Sequence, residues 1–162
     1  MTPDSGQNFA PWSEDRVRAI IGAHASNGAS LLPILTAIQN EFGHLPEEAI
    51  AIVAESLNLS RADVHGVATF YHDFRRAPPG RHMLKLCRAE ACQSMGGEVL
   101  AQCAMRMLGH KFGETSGDGS VTLESVYCLG LCACAPAALF DGQPVGRLDE
   151  AKLQALLSEF RS

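Results

Sequence analysis

Apolar residues recur three and four apart through the first half of this chain, and the pattern changes to short alternating runs after about residue 76. In the first half, Ser13 is placed to cap a helix with Val17, Ile20, Ile21 and His24 on one face, stopping near Asn27-Gly28. Ser30 opens a second helix with Ile34, Leu35, Ile38 and Phe42 apolar and Gly43 as its stop. Pro46 suits the first turn of a third, where Glu47 and Glu48 meet the positive end of the helix dipole. Its core face is Ile50, Val53, Ala54 and Leu57. Ser60 followed by Asp63 reads as a capping box for a fourth helix, burying Val64, Val67, Ala68 and Tyr71. Four short helices with short turns make a small all-helical bundle over residues 13–76. Residues 1–12, rich in Pro, Gly, Ser and Thr, read as a flexible tail.

Arg75-Arg76-Ala77-Pro78-Pro79-Gly80 interrupts the helical period, and residues 77–81 read as a linker. Beyond it, His82 to Leu86 alternates as a strand ending at Cys87. Ser94 is placed to cap a helix with Val99, Leu100, Cys103, Met107 and Leu108 inward. Val121 to Tyr127 is a second strand running into Cys128. Ala137 to Phe140 and Val145 to Leu148 read as two more, joined by a turn at Asp141-Gly142. Asp149 caps a last helix with Leu153, Leu156, Leu157 and Phe160 apolar. This order, over residues 82–162, is that of a thioredoxin-like α/β domain.

Composition narrows the function. With 162 residues, 46 % hydrophobic and 19 % charged, the chain reads as one globular domain or two small ones. A formal charge of −5 argues against nucleic acid and anionic membrane surfaces as partners. No apolar run approaches the ~20 residues that a membrane-inserted helix needs. The start carries no basic and apolar leader, so the six cysteines are expected in the cytoplasm, reduced or metal-bound. No Gly-x-Gly-x-x-Gly follows a strand, no flavin or molybdenum site is readable, and no Ser, His and Asp arrangement suggests hydrolysis. The chain is expected to have no substrate-binding active site of its own.

The cysteines carry the chemistry. Cys87 and Cys92 have four residues between them, and Cys128 and Cys132 have three. Two close pairs separated by a helix-length stretch suit a compact four-thiolate site, and thiolates select zinc or iron–sulfur clusters. Structural zinc favours shorter loops, often with histidine. A 2Fe–2S cluster, a flat rhomb with two thiolates per iron, accepts wider and unequal loops. Spacing therefore favours the cluster while leaving open a zinc-stabilised adaptor domain and a thiol–disulfide oxidoreductase. The latter lacks a Cys-x-x-Cys at a helix start. Cys103, on an apolar helix face, reads as an ordinary buried thiol, and Cys134 as structural. A helix starting near Ser94 would aim N–H groups at Cys92. Gly96, Gly97 and Gly130 would let backbone approach the sulfides, and Lys85 and Arg88 would add positive charge.

Gly43-His44-Leu45-Pro46, Val64-His65-Gly66-Val67-Ala68-Thr69-Phe70-Tyr71, the four cysteines, Cys128-Leu129-Gly130 and Ala135-Pro136 agree together in order and spacing with a known family. The chain, from about residue 14 onward, resembles the thioredoxin-like 2Fe–2S ferredoxin subunits of NADH-linked flavoprotein complexes. These include NADH:quinone oxidoreductase (complex I), NAD-reducing hydrogenases and NAD-dependent formate dehydrogenases. The resemblance implies one 2Fe–2S cluster on Cys87, Cys92, Cys128 and Cys132; the bond before Pro136 is either the cis-proline typical of this fold or an ordinary trans bond. The resemblance also implies electron transfer to and from a flavin- and NAD-binding iron–sulfur subunit carrying FMN. Residues 87–96 (CRAEACQSMG) resemble the gamma subunit of formate dehydrogenases, which implies a large catalytic subunit with a molybdenum cofactor. The complex I or hydrogenase subunit is the alternative. His44 and His65, in matched segments, read as packing groups.

Overall fold

The structure is a computed structural model that describes residues 9–25 and 30–158. The expected stop at Asn27-Gly28, the first eight residues and Phe160 lie outside the described residues. The chain divides into two units, Asn8–Pro78 and the part from Pro79 onward.

The first unit is helical: α1 (Glu14–Ala25), α2 (Leu31–Phe42), α3 (Glu47–Leu57) and α4 (Arg61–Phe70). Their apolar faces meet in a core centred on Val17, Ile34, Leu35, Ile38, Val53 and Val64. Gly43, at φ 76, turns the chain out of α2 and donates its N–H to Gln39 O. Ser60 and Asp63 form the reciprocal capping box at the start of α4. Three expectations are corrected. Pro46 is the N-cap of α3, not a residue of its first turn, because its extended ψ of 144 leaves only its carbonyl to join the helix. Tyr71 is exposed, since α4 ends at Phe70 and Tyr71 takes an extended conformation as its C-cap. Its ring lies edge-on to Phe70 and Phe74. Residues 9–12 are not loose: Ala10 N–H donates to Glu41 O at 2.9 Å, and the Trp12 ring centre lies 5.6 Å from that of Phe42.

The second unit runs β1 (His82–Cys87), α5 (Glu90–Ser94), α6 (Gly97–Leu108), β2 (Glu114–Thr115), β3 (Val121–Val126), a 3-10 turn (Cys132–Cys134), β4 (Ala138–Phe140), β5 (Gln143–Val145) and α7 (Glu150–Ser158). The sheet order is β2-β3-β1-β4-β5, with β1 and β3 parallel and the other pairs antiparallel. This is the thioredoxin-like α/β architecture expected. Its core joins Leu84, Leu123 and Phe140 of the sheet to Leu100, Cys103 and Ala104 of α6 and Leu153 of α7. Asp141 and Gly142, at φ 47 and 80, form a two-residue turn of the kind that suits hairpin twist. The Asp141 carboxylate pins that turn to β1, accepting from Met83 N and lying 2.7 Å from His82 Nδ1. Asp149 Oδ1 accepts from Lys152 N–H at 2.7 Å, capping α7.

The helix expected from Ser94 is instead two. Ser94 ends α5, its hydroxyl donating back to Ala91 O, and α6 starts at Gly97 after Gly96 at φ 91. A serine hydroxyl serves either end of a helix, and here it is used on the preceding carbonyls. Val99, expected inward, is 65 % exposed, because the small Ala101 and Ala104 take the core side of α6. The last expected strand is residues 143–145 and not Val145 to Leu148, since Arg147 at φ 48 turns the chain away. β3 stops at Val126, one residue before Tyr127. Among the described residues no helix is long and apolar enough to cross a membrane.

Candidate metal centre

Sheet register brings the cysteines to one place. In the parallel pair, Cys87 lies opposite Val126, so both strands end together and Cys128 follows two residues later. β4 returns beside β1 with Leu86 opposite Ala138, and Cys87 N–H donates to Ala137 O at 3.0 Å. The Ala135–Pro136 bond just ahead of β4 is cis, the first of the two alternatives the sequence left open. Cys92 is carried by the single turn of α5, and Cys132 opens the 3-10 turn. Apolar groups surround the buried pair, among them Ala89, Val126, Leu129, Leu131 and Ala137. No charged residue occurs from 127 to 140.

The two pairs differ in environment. Cys87 and Cys92 are 5 % and 2 % exposed, whereas Cys128 and Cys132 are exposed. Burial alone pushes the Cys87 thiol up, but the N–H groups of Ala89, Cys128 and Leu129 and the Cys92 thiol together hold it below its ordinary value. Burial and the neighbouring Cys87 push Cys92 up, opposed by the N–H of Ala137. Cys132 is raised chiefly by the charge of Cys128, with Cys87 adding to it. The two thiols of each pair therefore interact electrostatically, and the pairs lie within electrostatic reach of one another. Cys128 makes this arrangement possible by adopting φ 89, a conformation costing of order 1 kcal/mol for a residue with a Cβ. The turn hands two successive backbone N–H groups to a sulfur of the other loop, a nest of the kind that binds anions. Gly130 N–H, at the next left-handed position, donates to Cys128 Sγ at 3.4 Å.

The donor set fits a 2Fe–2S cluster: four sulfurs in two neighbouring pairs, with amides aimed at them. Among the described residues, no three Cys, His, Asp or Glu side chains close on one point. Cys103 lies in the sheet core, donates to Glu150 Oε1 at 3.3 Å and is pushed up by burial. Cys134 packs on Gly146, where a Cβ would come within 2.7 Å of its own. His44 and His65 belong to the helical unit, and His44 Nδ1 pairs with Phe42 O. The positive charge expected from Lys85 and Arg88 is matched by acids: Lys85 by Glu124 at 2.9 Å, and Arg88 by Glu98 at 2.6 Å with its guanidinium over Phe112. Backbone amides do the work expected of those cations. Gly97 approaches the Cys92 carbonyl rather than a sulfur.

A thioredoxin-like sheet with two thiolate loops meeting at its edge defines a ferredoxin-type centre. Residues 17–161 match the family described as thioredoxin-like [2Fe-2S] ferredoxin, and the chain belongs to it. Its cofactor is a 2Fe–2S cluster. Among its relatives is a subunit of the NADH-quinone oxidoreductase of Rhizobium meliloti, 37 % identical over 91 % of this chain and 88 % of the relative. A subunit of the NADH-quinone oxidoreductase of Pseudomonas aeruginosa is 35 % identical over 82 % of this chain and 80 % of the relative. The alpha subunit of the NAD-reducing hydrogenase HoxS of Cupriavidus necator is 29 % identical over 91 % of this chain, which spans only 25 % of that longer relative. The crystal structure of an NAD+-reducing NiFe hydrogenase superposes with a TM-score of 0.69 at 27 % identity, over 81 % of this chain and 22 % of that one. The chain is thus similar to electron-transfer subunits of NADH-linked oxidoreductase complexes.

Proposed function

We propose that Cys87, Cys92, Cys128 and Cys132 hold the 2Fe–2S cluster, one iron to each pair. The chain then exchanges single electrons with the FMN of a partner subunit in a cytoplasmic NADH-linked complex. The observation that carries this reading is the pairing itself: one buried and one exposed cysteine pair, tied together by the amides of Cys128 and Leu129. A four-thiolate 2Fe–2S cluster supplies one-electron chemistry, at a charge of roughly −2 oxidised and −3 reduced.

The chain's own residues make that charge tolerable. N–H groups of Ala89, Cys128, Leu129 and Ala137 point at the buried sulfurs and stabilise added negative charge, as does Gly130 N–H at Cys128. The apolar wall of Leu129, Leu131 and Ala135 keeps water from the buried pair. The exposed Cys128 and Cys132, on an uncharged rim, put one side of the centre where a partner comes within electron-transfer reach.

The relatives favour a complex of the NADH:quinone oxidoreductase or NAD-reducing hydrogenase type over a formate dehydrogenase. Formate dehydrogenase remains a second reading, carried by residues 87–96, and brings with it a molybdenum-bearing partner. Purifying the intact complex through a tag on this chain, and assaying flavin, nickel, molybdenum and quinone-dependent NADH oxidation, separates these. Flavin with quinone reduction or nickel supports the first reading, and stoichiometric molybdenum with formate oxidation supports the second. A complex lacking flavin refutes both.

A further inference from the structure

Two adjacent glycines, Gly96 and Gly97, join α5 to α6, and their surroundings differ. Gly96 is at φ 91, and a Cβ built on it meets nothing within 4 Å. Gly97 opens α6 without left-handed backbone, yet a Cβ there would lie 2.6 Å from the carbonyl oxygen of Cys92 and 2.9 Å from its carbonyl carbon. Both are backbone atoms, so no rotamer change relieves the contact, and one of the two helices must move.

The weaker anchor decides which. α6 is set into the sheet core by Leu100, Ala101, Cys103 and Ala104. α5 is one turn of five residues, held by Cys92 and Gln93 N–H on Ala89 O, Gly96 N–H on Gln93 O, and the Gln93 side chain on Arg88 O. α5 therefore yields, and it carries Cys92. We propose that Gly97 is a positioning residue for Cys92: its missing side chain lets α5 seat against α6, and that contact sets the depth and aim of the Cys92 sulfur. This rests on Cys92 being a cluster ligand.

The test uses the full chain purified without air with its cluster, as Gly97→Ala, Gly117→Ala (a glycine of the same unit with open space around it and no left-handed backbone) and Cys92→Ser beside the unaltered chain. Three quantities are read: the EPR spectrum after dithionite, the rate of iron loss to a chelator, and iodoacetamide labelling of Cys103, a buried thiol in the core that reports the fold. Gly97→Ala is expected to shift the EPR g values and to lose iron roughly tenfold faster, the effect of a contact of this tightness. Cys103 stays unlabelled, and Gly117→Ala keeps the unaltered spectrum. A Gly97→Ala chain with unaltered spectrum and iron loss overturns the proposal. So does labelling of Cys103 in that variant, which marks general unfolding, or an equal shift in Gly117→Ala. An unaltered spectrum in Cys92→Ser overturns the ligand reading beneath it.

Discussion

Replacing Cys92 by Ala removes a ligand from the buried pair, and its cost to the fold follows from chain topology. A cluster bound by all four cysteines closes the stretch from Cys92 to Cys128, a loop of roughly 36 residues that contains α6, β2 and β3. Closing a loop of that length constrains the unfolded chain by about 4 kcal/mol. Truncating a small buried side chain adds on the order of 1 kcal/mol. For a unit of this size each kcal/mol moves the midpoint by about 4–8 °C, so the sheet unit is expected to melt some ~20–40 °C lower. Cys103→Ala is the control, since that thiol is equally buried but lies in the core away from the ligand loops; it costs about 1–2 kcal/mol and leaves the cluster in place. Anaerobic calorimetry of both variants as purified, beside the loaded unaltered chain, reads both. A Cys92→Ala chain that melts within a few degrees of the Cys103→Ala chain refutes the cross-linking argument, and one that keeps a normal cluster refutes the ligand assignment.

Three further outcomes are expected. Ser60→Ala breaks the capping box of α4, where Asp63 N–H donates to Ser60 Oγ at 3.0 Å, and lowers the denaturant-unfolding stability of the helical unit by about 1 kcal/mol; no change would show that the box contributes nothing. Leu84→Ala, at a position 0 % exposed in the central strand, costs about 2–5 kcal/mol by urea titration, and a loss below 1 kcal/mol would contradict the packing described. The hydroxyls of Ser116 and Ser120 and the Ser120 N–H hold the Asp118 carboxyl well below the usual carboxylate range. A depressed folded-state value means its stabilisation is present above about pH 4 and is lost as pH falls further. Asp118→Asn should therefore shift the urea midpoint more at pH 7 than near pH 2, and an equal shift at both would contradict the carboxylate's role.

The helices were legible where spacing and punctuation agreed. Ile34, Leu35, Ile38 and Phe42 before Gly43, and Ser60 with Asp63, name both a face and an end. The strands running into Cys87 and toward Cys128 were equally readable, and with them the meeting of two cysteine loops at one sheet edge. The division between α5 and α6 was hidden because Ser94 can serve either helix end. The amide nest was hidden for a different reason: nothing about a cysteine announces a φ of 89, and only Gly130 two residues on marks the loop as left-handed. Val99 misled because hydrophobicity outranks alanine in a sequence pattern, whereas close packing on the sheet selects Ala101 and Ala104. Lys85 and Arg88 were visible as charges, but their partners Glu124 and Glu98 are brought beside them only by the sheet and by α6.

The central claim is that these four cysteines hold a 2Fe–2S cluster, and metal analysis with EPR on the anaerobically purified chain tests it most directly. The account predicts about two irons and two acid-labile sulfides per chain, silent when oxidised and giving a rhombic S = ½ signal after dithionite. Stoichiometric zinc with no sulfide, persisting in protein never exposed to air, would contradict it.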